Sequence, residues 1–102
     1  MIDFSQGDII KISGYKNRFL IISKNAFIKA TNVFHVCPII NNYNEGPLHI
    51  SIHGVESTKG IVICEQMKLV DPAARACSRV DRISYDNIMN ISDAIQGIFE
   101  YD

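Results

Sequence analysis

Between Gly7 and Val70 the apolar residues come in short runs, each closed by turn-forming or polar residues before it reaches helical length. Strands are predicted at about 7–13, 18–24, 33–40, 48–53, 60–65 and 67–70. Residues 48–53 alternate: Leu48, Ile50 and Ile52 are expected to face a core, with His49, Ser51 and His53 on the other side. Many short strands at this spacing favour a rolled or closed antiparallel sheet over a parallel one with crossover helices. Closure also removes the sheet edges that short strands would otherwise leave exposed. The chain is therefore expected to be mainly β with small α additions: an antiparallel barrel over residues 7–70, then a C-terminal amphipathic helix over 84–99.

That helix has Ser84 as its expected N-cap and Asp86 in its first turn. Ile88, Ile91, Ile95 and Ile98 recur at helical spacing and form one apolar stripe. Lys24 to Asn32 has room for a helical turn, and residues 41–47 (N-N-Y-N-E-G-P) have loop composition. With 102 residues, no internal repeat and no linker, residues 1–102 are expected to form a single domain.

Gly60–Arg75 (G-I-V-I-C-E-Q-M-K-L-V-D-P-A-A-R) is the most informative stretch for function. The β-branched run Ile61 to Cys64 suits a buried strand, yet it leads straight into Glu65 and Gln66, which a core accepts only with partners. Asp71-Pro72 ends the next short run, and a helical turn there puts Arg75 within reach of the Asp71 carboxylate. One expectation is a strand, a bulge and a turn whose polar groups satisfy each other. The other is that Glu65, Gln66, Asp71 and Arg75 brace a functional surface.

Three segments upstream decide the weight of the second. They are Gln6-Gly7-Asp8-Ile9-Ile10-Lys11-Ile12, Asn17-Arg18-Phe19-Leu20-Ile21-Ile22-Ser23 and His35-Val36-Cys37-Pro38-Ile39. Taken in order with Gly60–Arg75, they resemble the MazF/PemK family of bacterial toxins, over nearly the whole chain from about Gln6 to the C-terminal helix. The resemblance implies an SH3-like barrel, a homodimer, a cognate antitoxin and metal-independent cleavage of single-stranded RNA by a sequence-selective endoribonuclease.

Composition sets bounds on this. No apolar run approaches the ~20 residues a membrane helix needs, so no membrane partner is expected. Met1-Ile2-Asp3-Phe4 lacks the features of a secretory signal, and three cysteines, two within apolar runs, suit reduced thiols in a cytoplasmic protein. No C-x-x-C or H-x-x-H pair occurs, His35 and Cys37 fit packing roles, and neither metal nor cofactor is expected. The formal net charge of −1 argues against a bulk polyanion binder. Its distribution is uneven: Lys11, Lys16, Arg18, Lys24 and Lys29 fall between Ile9 and Asn44 with no acid among them. Asp86, Asp93, Glu100 and Asp102 follow Ser84 with no base.

RNA cleavage without a metal uses the substrate's 2′-hydroxyl as nucleophile. The protein must accept that proton, donate one to the leaving 5′-oxygen and stabilise the charged phosphorane. A guanidinium suits the last task, and Arg18 stands where the family carries an arginine before its second strand. Four departures accompany it. Ile40 replaces the family's Thr or Ser, Phe19 its proline, and Ile63 an arginine of the plasmid-borne branch; the loop Ser13–Asn17 is short. Asn41 can supply a donor in place of the lost hydroxyl, and His49 or His53 can titrate near neutrality. The candidate catalytic set is Arg18, Asn41 and His49. The candidate RNA contacts are Lys16, Tyr15, Tyr43 and His53. Two alternatives stand beside cleavage: a MazF-like protein that binds without cutting, and a CcdB-like gyrase poison. The acidic ending Ile98-Phe99-Glu100-Tyr101-Asp102 lacks the Trp-Gly-Ile of the latter.

Overall fold

Phe34–Ile40 (β3) organises the sheet, because its F-H-V-C-P-I-I run is long enough to serve two partners along one edge. In the computed structural model, which describes residues 3–102, Ile39 and Ile40 pair with β5 (Lys59–Ile63). Further along the same edge, Phe34 to Val36 pair with β6 (Lys68–Val70). A 3-10 turn, Cys64–Gln66, separates the two pairings, so the expected strand 60–65 ends at Ile63. The strand and the turn expected of this segment are present, and a 3-10 turn stands where a bulge was expected.

On its other edge β3 pairs with β2 (Arg18–Ile21), which pairs with β1 (Asp8–Ile12). β4 (His49–His53) pairs with β5. Each of these pairings is antiparallel, and β1 takes β7 (Cys77–Arg82) as its second neighbour. The strand order is β4-β5-β3-β2-β1-β7.

β7 corrects the expectation that the sheet ends at residue 70. Its sequence C-S-R-V-D-R has three charged residues and no apolar run, because it is a sheet-end strand whose Ser78, Arg79 and Arg82 are exposed. The sheet curls as a barrel does but does not close. Instead the β4–β5 loop reaches β7, where the Val55 N–H donates to the Arg82 carbonyl at 2.8 Å.

Alternation along the strands builds two cores. Ile9, Leu20, Cys37, Ile39, Ile52 and Val62 pack on one face with Ile88 and Ile91 of α2 (Tyr85–Ile98). Phe19, Ile21, Phe34, Val36 and Val70 pack on the other with Ile28 of α1 (Asn25–Thr31). In β4, Ile52 is buried and Ile50 packs half-buried against the first core, as does Leu48 just before the strand.

The α2 stripe is only half used. Ile88 and Ile91 are buried, Ile95 is half-buried and Ile98 is exposed, because the helix runs off the sheet beyond the Cys64–Gln66 turn. Ser84 occupies the N-cap position, but its side chain makes no capping bond. Among the described residues no helix is long and apolar enough to cross a membrane.

Candidate functional site

Arg18 opens β2 directly after the short Ser13–Asn17 loop and lies opposite Ile39. Paired residues in an antiparallel sheet share a face, as do residues two apart along a strand. Arg18, Ile39, Asn41 and Thr58 therefore converge at one end of the sheet. They line a cavity of about 400 Å³ with Lys16, Asn17, Ser57 and Lys59. Three cations and no acid border it. The Arg18 Nη1 donates a short hydrogen bond to the Thr58 hydroxyl. Of the residues expected from sequence, Arg18, Asn41 and Lys16 are thus brought together.

Thr58 belongs to a loop built around a buried carboxylate. Asp81 is 5% exposed, on the inward side of β7. Its Oδ1 accepts the N–H of Glu56 at 2.8 Å and of Arg82 at 2.8 Å; its Oδ2 accepts those of Ser57 at 3.1 Å and Thr58 at 2.9 Å. Burial by itself raises the Asp81 carboxyl. The backbone donors of Glu56 and Thr58, the Thr58 hydroxyl and the Arg82 N–H outweigh it and hold the group well below the usual carboxylate range. Gly54 is required beside it, since a Cβ there would collide with the Asp81 carboxylate. Thr58, Lys59 and Asp81 are absent from the sequence-based set. No local signal marked them, since Asp81 reads in the sequence as a solvated charge.

His49 lies elsewhere. Arg18, Ile39, Val62 and Ile50 stand side by side across four strands. That places Arg18 about 14 Å from β4 at ~4.8 Å per strand, and His49 points to the opposite face. There it meets Glu65: its Nε2 is 2.8 and 3.0 Å from the two carboxylate oxygens, and its Nδ1 is 3.1 Å from the Asn44 carbonyl. Both partners are acceptors, so only a doubly protonated ring donates on both sides. Tyr43 packs edge-on against the ring at 5.0 Å. The bond from His49, with a backbone N–H of Glu65, holds the Glu65 carboxyl below its ordinary value. Ile40, Ile61 and Ile63 share this face; Ile40 is half-buried opposite Ile61. His53 is exposed opposite Lys59.

Tyr15 is tied into the scaffold. It meets Phe19 edge-on at 5.3 Å, and the Lys68 Nζ donates to its hydroxyl at 3.0 Å. The Arg75 guanidinium lies 5.2 Å from the centre of its ring. The bond from Lys68, then the charges of Arg75 and Lys68, lower the Tyr15 phenol. Arg75 therefore does not pair with Asp71, which corrects the expected contact; its Nη1 donates to the Ser13 carbonyl at 3.4 Å. Asp71 instead folds its own turn, with Oδ1 accepting the Ala73 N–H at 2.9 Å. Gln66 is exposed at the end of the 3-10 turn.

Against known proteins, residues 1–99 match the family model described as PemK-like, MazF-like toxin of type II toxin–antitoxin system. Curated protein sequences give no match. Among solved structures, MazE–MazF (Form-I) from Deinococcus radiodurans superposes with a TM-score of 0.82 at 13% identity, covering 96% of this chain and 97% of that one. An endoribonuclease in complex with its cognate antitoxin from a mycobacterial species gives 0.80 at 14%, covering 97% and 99%. The Mycobacterium tuberculosis toxin MazF-mt6 gives 0.71 at 13%, covering 94% and 98%.

Proposed function

Because the chain belongs to the PemK-like, MazF-like toxins of type II toxin–antitoxin systems, we propose that it is a cytoplasmic, metal-independent endoribonuclease that cleaves single-stranded RNA sequence-selectively. One observation carries this: a guanidinium, Arg18, held by Thr58 beside a cavity lined by Lys16, Asn41 and Lys59 and by no acid. A phosphodiester entering that cavity meets its donors at once. When the 2′-hydroxyl attacks, Arg18 and the two lysines stabilise charge on the phosphorane, and Asn41 donates its amide to a non-bridging oxygen.

The same cavity holds no histidine and no carboxylate, so proton transfer falls to His49. It takes the 2′-hydroxyl proton and returns it to the leaving 5′-oxygen, and Glu65 orients it. Tyr43, packed on the His49 ring, and His53, at the other end of β4 opposite Lys59, contact flanking nucleotides in this reading. Within one subunit His49 and Arg18 are too far apart to act on one phosphate. A two-fold homodimer with a groove lined by both subunits lets Arg18 of one chain and His49 of the other meet. An acidic, initially disordered antitoxin tail fits the same cation-lined cavity and blocks it.

Arg18→Ala is expected to lower cleavage of single-stranded RNA in chelator-containing buffer by about 10²–10³ without unfolding the chain. Mixing Arg18→Ala with His49→Ala subunits is expected to restore activity, because half the mixed dimer's sites are intact. Arg18→Ala cleaving at the wild-type rate would refute the assignment.

One observation favours a second reading. The half-buried Ile40 stands where the related toxins carry a hydroxyl, which suits a protein that binds RNA or antitoxin without cutting. An inert wild type, with no gain from Ile40→Thr, selects that alternative. The family match gives the gyrase-poison alternative no support.

A further inference from the structure

We propose that Asp81 is a positioning residue for Arg18, acting through Thr58; the functional consequence rests on the assignment of Arg18 above. Arg18 Nη1 donates to the Thr58 hydroxyl oxygen, and the Thr58 backbone N–H donates to the Asp81 Oδ2 at 2.9 Å, so one residue bonds both groups.

Asp81 also fixes where Thr58 stands. It accepts the N–H groups of Glu56, Ser57 and Thr58, so the segment leading into β5 is clasped to β7 at the far end of the sheet path. Gly54 supplies the room this needs. A buried carboxylate is retained only where donors compensate its lost hydration, and here the donors come from the segment that carries Thr58.

The interposed threonine has a chemical consequence. A carboxylate bonded directly to Arg18 would neutralise the guanidinium and occupy two of its donors. Acting through the backbone of Thr58, Asp81 orients the group while leaving its charge and remaining N–H donors for a phosphate. Among the described residues the Arg18 side chain makes this one hydrogen bond.

Thr58→Val tests the link, because it keeps the side-chain shape and the backbone donors to Asp81 and removes only the hydroxyl that Arg18 meets. Thr58→Ser restores the hydroxyl. The readouts are thermal melting, the nitrogen-edited NMR signal of the Arg18 side-chain N–H groups, and kcat and KM on a randomised single-stranded RNA pool. Thr58→Val is expected to keep its melting behaviour, lose the protection of the Arg18 signal from solvent exchange, and drop about 10- to 100-fold in kcat with KM nearly constant. Thr58→Ser is expected to recover both. Asp81→Asn should mimic Thr58→Val in the NMR signal, and the two losses should not add in a double-mutant cycle.

An unchanged Arg18 signal in Thr58→Val overturns the proposal, as do losses that Thr58→Ser fails to restore or that add with Asp81→Asn. If Asp81→Asn does not fold, Asp81→Glu replaces it. That variant keeps the charge but displaces it by one methylene, and it should lower protection of the Arg18 signal; an unchanged signal counts against Asp81. If Thr58→Val frees the Arg18 signal while Arg18→Ala still cleaves normally, the positioning stands and the catalytic role of Arg18 falls.

Discussion

Truncating Ile91 and Ile98 separately measures how α2 is rotated over the sheet. The two residues are seven apart on one apolar stripe, yet Ile91 is 1% exposed and Ile98 is 38% exposed. Ile91 packs in a cluster with Ile9, Leu20, Cys37 and Cys64, contributed by three strands and the 3-10 turn. Ile91→Ala removes apolar atoms from a closed site and leaves a cavity, which typically costs ~2–5 kcal/mol. At about 3 kcal/mol, and ~4–8 °C per kcal/mol for a domain of this size, the melting temperature should fall by about 12–24 °C. A domain with ~5–15 kcal/mol of stability remains folded in the cold after that loss.

At Ile98 more than a third of the residue already meets water, and no closed cavity can form. Ile98→Ala should therefore cost less than ~1 kcal/mol, or under about 8 °C. Far-UV circular dichroism melts of the two variants and the wild type, at one protein concentration, supply the comparison. Ile95→Ala, at a half-buried position, should fall between them. Equal drops at Ile91 and Ile98, or a larger one at Ile98, would refute the helix placement.

Two further outcomes follow from titrating groups. Asp81 has its folded-state carboxyl held below the unfolded value of about 3.9, so its stabilising effect is complete above that pH and drains away as pH falls through the folded value. Acid unfolding followed by fluorescence or dichroism should be steeper in wild type than in Asp81→Asn, and equal slopes would count against the clasp. Burial pushes the Cys37 thiol up to about 12 and the Cys64 thiol to about 11, each reinforced by a neighbouring negative charge. With a disulfide reagent at mildly alkaline pH, partly exposed Cys77 should be labelled first, and Cys37 and Cys64 should react only on unfolding. Mass spectrometry of partly labelled protein checks the order; early modification of Cys37 would contradict its burial.

The amino-acid sequence by itself determined the features set by local periodicity. Alternation in L-H-I-S-I-H assigned the two faces of β4, and short runs closed by turns predicted an antiparallel sheet. The Ile spacing predicted a C-terminal helix, and motif order pointed to the family and to Arg18. Tertiary structure decided whatever depends on partners distant in the chain. β7 is a strand because β1 offers it an edge, and neither its composition nor its pattern says so. Arg75 is drawn away from Asp71 by Tyr15 and Ser13, sixty or so positions upstream. Glu65 meets His49 because β4 and β5 are in register, and Arg18 meets Thr58 forty residues away. Asp81 is the clearest case. An aspartate between Val80 and Arg82 looks like a solvated charge, and becomes a buried acceptor only when the sheet curls far enough for the Glu56–Thr58 amides to reach it. Patterning along a strand acts within a few residues. The polar bonds that shape the candidate site form only after the sheet has brought its two ends together.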